Sequence, residues 1–231
     1  MRPIDPYLVN IVAGAWLTLV VAFGSLAVAI ALGLLGALSK LSTVAVLRIG
    51  ATLYSTVVRG VPDLVLMLLV YYGGQIAINQ LLSALGSDTS IDVEPLTAGI
   101  LTIGFIYGAY LTETFRGAIL AIPRGQAEAA RAFGMSRFRV VISIVSPQMI
   151  RFALPGFTNI WLVLVKATAL VSIIGLTDMM YRAKQASGAT QTAFVYFLAA
   201  GAVYLAITTV SLWLLKGLDA HYSRGVRRAN A

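Results

Sequence analysis

From residue 11 to residue 38 the chain carries no charged side chain. About 20 apolar residues suffice to cross the hydrocarbon core of a bilayer. This run can therefore cross it tilted, or extend past the core on either side. It exceeds the roughly 7–15 apolar residues of a signal-peptide core, and its uniform apolarity offers no convincing cleavage site. An uncleaved first membrane helix is expected. The rest of the chain could not hold such a segment in water. It is 59% hydrophobic and 11% charged, with a mean hydropathy of +0.87, where soluble domains carry about 25% charged residues.

Four more spans are expected, giving an all-α polytopic membrane protein with five transmembrane helices in one domain, residues 1–231. Residues 62–85 form the second span, with residues 49–58 as a lead-in. The two are parted by Arg59-Gly-Val-Pro-Asp63, where proline removes a backbone donor and breaks the helix. Such a break at membrane depth is tolerated only against protein or water. Residues 86–95 are polar and contain Asp88, Asp92 and Glu94. The third span, residues 96–122, carries Glu113 and ends near Arg116. A basic loop covers residues 123–151. The fourth span, residues 152–176, carries Lys166. A polar connection, residues 177–192, leads to the fifth span, residues 193–215, and a basic tail with Arg224, Arg227 and Arg228. No internal repeat or second domain is visible.

Basic residues set the expected orientation. Arg116, Arg124, Arg131, Arg137, Arg139 and Arg151 flank or lie in the loop between spans three and four, against Glu128 alone. Lys40, Arg48 and Arg59 lie between spans one and two, whereas the Asp88–Glu94 segment has no base. The positive-inside rule puts the basic loop and the C-terminus in the cytoplasm and the N-terminus outside.

The net charge of +8 follows this distribution and does not indicate a nucleic-acid partner. With no cysteine and one histidine, His221 in the tail, disulfides, thiolate chemistry and His-based metal clusters or triads within the chain are excluded. No G-x-x-x-x-G-K-[ST] phosphate loop is present, so the chain is not an ATP-driven motor by itself, and no cofactor is expected in it.

In the basic loop, Ala127, Ala130, Gly134, Phe138 and Val141 are spaced 3, 4, 4 and 3, one face of an amphipathic helix. Glu128 has Arg124 four residues before it and Arg131 three after, within pairing reach. Gly134 inside this pattern marks a bend or a close backbone approach. The spacing alone leaves two readings: a helix lying on the bilayer surface, or one that docks on a protein.

The stretch Glu128-Ala-Ala-Arg-Ala-Phe-Gly134 resembles the EAA loop of the permeases of bacterial ABC importers. Arg59-Gly-Val-Pro, Tyr107-Gly-Ala-Tyr-Leu-Thr-Glu-Thr-Phe-Arg-Gly117, Pro123-Arg-Gly-Gln126 and Lys166-Ala-Thr-Ala-Leu170 resemble further motifs of their polar amino acid branch. That branch more often has Asp and Ser where this chain has Ala167 and Ala169. The Val61–Met67 run and the Tyr222–Ala229 tail are similar to the Q-type permeases of the histidine/lysine/arginine/ornithine importers and related opine importers. The resemblance implies a type I importer permease with a cytoplasmic coupling helix at Glu128, Ala129, Ala130 and Gly134. It also implies a bacterial inner-membrane assembly with a homologous second permease, two ATPase subunits that bind and hydrolyse the ATP, and a periplasmic amino-acid-binding protein.

Charges within spans are costly, at least about 2.5–3.5 kcal/mol each, and so are candidate pathway residues. Glu113 lies nine residues before Ile122, about 14 Å from the cytoplasmic end. Lys166 lies fifteen residues past Arg151, about 22 Å from the same side. Glu113 either attracts a cationic substrate or pairs with Arg116. Lys166 either lines the path, snorkels or pairs with Glu113. Asp63 is a third candidate, or the cap of the second helix. Tyr71, Tyr72 and Trp161 read as packing or interface anchors. A stand-alone secondary transporter or channel is the alternative class, disfavoured by five spans without a repeat. An intramembrane enzyme would be left with Ser or carboxylate chemistry, and no two membrane carboxylates sit in an evident pair.

Overall fold

The computed structural model describes residues 5–86 and 91–222. Asp88 and the arginines Arg224, Arg227 and Arg228 lie outside the described residues. Every regular element among those described is helical. They are α1 (Pro6–Lys40), α2 (Ala45–Gly60), α3 (Asp63–Ala84), α4 (Pro95–Leu120), α5 (Arg124–Ala132), α6 (Arg137–Ser172), α7 (Met179–Thr190) and α8 (Ala193–Tyr222). Five of them, α1, α3, α4, α6 and α8, are long and apolar enough to cross a membrane.

The centre of the bundle is α4. Of its most apolar window 61% is buried, against 11% for α3 and α8. It packs chiefly on α1 and then on α6. Apolar burial offers no net drive within lipid, so close backbone approach must hold helices together there. A Cβ on Gly33 of α1 would lie 2.6 Å from the Cβ of Leu111, and one on Gly104 of α4 would lie 2.6 Å from that of Val28. Glycine is required at both contacts. The apolar side chains left on the outside, among them Trp16, Phe23, Leu69, Phe194 and Trp213, suit lipid or a neighbouring subunit.

Three sequence expectations change. The fourth span begins fifteen residues early: α6 starts at Arg137, where Ser136 accepts from the Arg139 N–H at 3.3 Å. Its first turns carry Arg137 and Arg139, which disguised the apolar run from Val140 to Val145 as loop. A π-helical turn at Val141–Val145 then realigns the helix. The lead-in to the second span is a full amphipathic helix, α2, packed on α1 and α4.

The connection before the fifth span also contains a helix, α7. Asp178 caps it by accepting from the Tyr181 N–H at 2.9 Å. Arg182 ties it to α1 by donating to the Asn10 side-chain and backbone oxygens at 2.6 and 3.1 Å. Met179, Ala183 and Ala186 bury its inner face, and with two of the three small the signal is weaker than a run of large apolar side chains. Asp178 is fully buried, and burial pushes its carboxyl up to about 6.

Candidate functional site

Three groups of polar residues stand out against this apolar bundle. The first is α5, nine residues joining α4 to α6 outside the spans. Pro123 sets its start. Its end is a Schellman turn: Met135 N–H donates to Ala130 O at 3.1 Å and Gly134 N–H to Arg131 O at 2.9 Å, with Gly134 at φ +81°. That left-handed conformation at the position after the cap is where glycine is favoured. The amphipathic face expected to run from Ala127 to Val141 is therefore cut at Gly134. Ala130 turns inward at 8% exposure, while Glu128, Ala129 and Phe133 point outward, Phe133 at 89%. A Cβ on Gly134 would meet nothing within 4 Å among the described residues. The expected local pairing of Glu128 is not formed: it has no ion-pair partner among the described residues.

The second group is centred on Glu113. Lys40, the last residue of α1, and Arg116, one turn on, both pair with its carboxylate; the Arg116 contact is 2.9 Å. Ser55 of α2 donates to the same carboxylate at 3.3 Å. Three helices thus converge on one anion. The i,i+3 pair with Arg116 was legible in the sequence. Lys40 was missed, because the depth of Glu113 was measured only against spans three and four. The end of span one supplies the signal: Lys40 is the first cation after it, on the same expected side as Arg116.

The Glu113–Lys166 pair is not formed. Lys166 is exposed beside a cavity of about 330 Å³ walled by Ala169, Met180, Phe197, Ala200 and Tyr204, with no ion-pair partner among the described residues.

The third group lies at the α2–α3 break. Asp63 does not cap α3 with its side chain; Pro62 holds the cap position. Instead Tyr107 of α4 donates its hydroxyl to Asp63 Oδ2 at 2.9 Å. The Arg59 guanidinium lies 5.3 Å from the centroid of the Tyr110 ring, and Tyr107 and Tyr110 stack with centroids 5.7 Å apart.

Further along α3, Tyr71, Tyr72, Gln75, Asn79 and Gln80 line an open concavity of about 670 Å³. Gln75 donates to Asp92 at 3.1 Å and Asn79 accepts from the Ile91 N–H at 2.9 Å. The i,i+4 spacing of Gln75 and Asn79 in an apolar span would have shown this polar stripe. Trp161, by contrast, is buried against Phe23, in keeping with a packing role.

Residues 29–224 match the family of binding-protein-dependent transport system inner membrane components. The chain is 48% identical over 220 residues to a histidine/lysine/arginine/ornithine transport system permease protein of Escherichia coli (strain K12), covering 95% of this chain and 96% of that protein. It is 39% identical over 212 residues to an octopine transport system permease protein of Rhizobium radiobacter, covering 92% and 90%. Among solved structures, the crystal structure of an amino acid ABC transporter with histidines aligns with a TM-score of 0.77 at 30% identity, over 93% of this chain and 95% of that one. Five apolar spans, a short helix closed by a left-handed glycine between the third and fourth, and likeness along nearly the whole length agree: the chain belongs to the family of inner-membrane permease components of binding-protein-dependent transport systems.

Proposed function

We propose that this chain, as a single transmembrane domain, forms half of the translocation path of an ABC importer for cationic amino acids: histidine, lysine, arginine, ornithine or opines. The observation that carries the reading is α5, a capped helix outside the spans whose outward face, Glu128, Ala129 and Phe133, has no cover among the described residues. Such a face suits a groove on an ATPase subunit, and Gly134 lets the chain turn back into α6. The partners are a homologous second permease, two ATPase subunits that hold the ATP, and a periplasmic binding protein. The substrate class rests on the relatives, whose names give histidine, lysine, arginine, ornithine and octopine.

Lys166, exposed, and Asp63, half-buried, belong to the path. Glu113, held by Lys40 and Arg116, contributes as its wall. With the partner subunits reconstituted in nanodiscs, cationic amino acids presented by the binding protein are expected to stimulate ATP hydrolysis, and acidic ones are not. Stimulation by glutamate but by no cation would overturn the substrate class. Failure of the ATPase to co-purify would overturn the importer reading.

The orientation is N-terminus periplasmic and C-terminus cytoplasmic, from the clustering of arginines around α5. Cysteines placed at Ser83 and Ser136 of this cysteine-free chain test it in cells with a permeabilised outer membrane. An impermeant maleimide is expected to label Ser83→Cys and to spare Ser136→Cys. The reverse pattern would invert the topology.

A further inference from the structure

Arg59 and Asp63 are four residues apart. In a continuous helix that spacing brings opposite charges into contact. Here it does not: Val61 and Pro62 are extended, with ψ of 137° and 136°, and neither residue has an ion-pair partner among the described residues. Each charge is held on its own tyrosine of α4 instead, Arg59 over Tyr110 and Asp63 on the hydroxyl of Tyr107.

Their depth makes this separation costly. Tyr107 and Tyr110 lie thirteen and ten residues from Leu120, the end of α4, or about 20 and 15 Å along its axis. The pair therefore sits near the middle of the span. A charge there is tolerated against water or protein, not lipid. Arg59 is exposed, Asp63 is half-buried, and a Cβ on Gly60 between them would meet nothing within 4 Å among the described residues. The break thus faces open space rather than the packed interior. Among the described residues Asp63 Oδ1 accepts no hydrogen bond, and the guanidinium keeps its N–H fork unused.

We propose that Arg59 and Asp63 form a site for the zwitterionic head of an α-amino acid, the guanidinium receiving the α-carboxylate and Asp63 the α-ammonium. The proposal rests on the amino-acid importer reading. Guanidinium and carboxylate pair through two parallel N–H···O bonds, and the ammonium supplies a donor to the unused Asp63 oxygen. Proline is the device that keeps the two charges from neutralising each other before the ligand arrives. A site of this kind reads the head group common to all amino acids and leaves the side chain to other residues.

The test is equilibrium binding to the reconstituted complex in nanodiscs, without the binding protein, using L-arginine and two analogues. Agmatine lacks the carboxylate; 5-guanidinopentanoic acid lacks the amino group. The unmodified complex is expected to bind both analogues at least roughly tenfold more weakly than L-arginine. Arg59→Gln should lower L-arginine affinity by a similar factor and leave agmatine unchanged. Asp63→Asn keeps an oxygen for Tyr107, so a purely structural role survives it. It should nevertheless weaken L-arginine and leave 5-guanidinopentanoic acid unchanged. L-Histidine against histamine should repeat the Arg59 result. Equal binding of agmatine and L-arginine by the unmodified complex overturns the site even if no variant assembles. So does wild-type L-arginine affinity in both variants. An unmodified complex that binds none of the amino acids removes the importer reading together with the site.

Discussion

Gly134→Leu is expected to abolish transport and co-purification with the ATPase while leaving the chain inserted in the membrane. Gly134 sits at φ +81°, a conformation that costs an ordinary L-residue about 1–2 kcal/mol. The strain falls on the turn that ends α5 and starts α6, and it is relieved by giving up the two hydrogen bonds from Gly134 and Met135. The helix then frays where Glu128, Ala129 and Phe133 must be presented in one orientation. Nothing among the described residues crowds the position, so the spans need not move. Gly134→Asn separates the two causes. Asparagine tolerates the left-handed region and is expected to retain most of the activity. If asparagine fails as completely as leucine, bulk against a partner surface is at fault and not backbone conformation. Full transport by Gly134→Leu would remove α5 as the coupling element.

The spans were legible because an 18-residue apolar window leaves little choice in a bilayer. Helix existence was read correctly for all five; what failed were the elements whose signal is mixed. The start of α6 was hidden because Arg137, Arg139 and Arg151 look like loop in a charge count, yet side chains of that length reach past the ends of a span. The helix α7 was hidden because only Met179, Ala183 and Ala186 bury it, and two small residues leave little periodic contrast. Gly134 was singled out, but as a bend or a close backbone approach inside the helix; a left-handed cap looks like either in one sequence.

At the candidate site, residue types were readable and pairings were not. Glu113, Lys166 and Asp63 stood out as charges in apolar runs. Which cation meets which carboxylate depends on how α1 lies against α4, and that is set by contacts such as Gly33 with Leu111. The partner of Asp63, the Tyr107 hydroxyl, gives no charge signal at all. The Arg59–Asp63 spacing was in plain view, but its meaning needed the extended backbone at Val61 and Pro62, since a regular helix would have made it an ordinary ion pair.

Glu113→Gln is expected to destabilise the chain by removing the counter-charge of a buried cation. The Lys40 side chain is only 10% exposed and that of Glu113 22%, so Lys40 cannot simply turn into water. Breaking a buried pair by neutralising one partner costs about 3–5 kcal/mol. Arg116, 37% exposed, can rehydrate, and the partial exposure of Glu113 lowers the figure further, to about 2 kcal/mol. The readout is the midpoint of thermal aggregation in detergent for the wild type, Glu113→Gln, Lys40→Met and the double variant. Each single change should lower it. The double variant should recover part of the loss, because no charge is then left buried alone. Uptake of arginine, lysine and neutral histidine at high pH should fall together in Glu113→Gln, since the defect lies in how α1, α2 and α4 are held. A loss confined to arginine and lysine, with an unchanged midpoint, would instead make Glu113 a direct contact of the cationic substrate, and the three-helix clamp would be refuted.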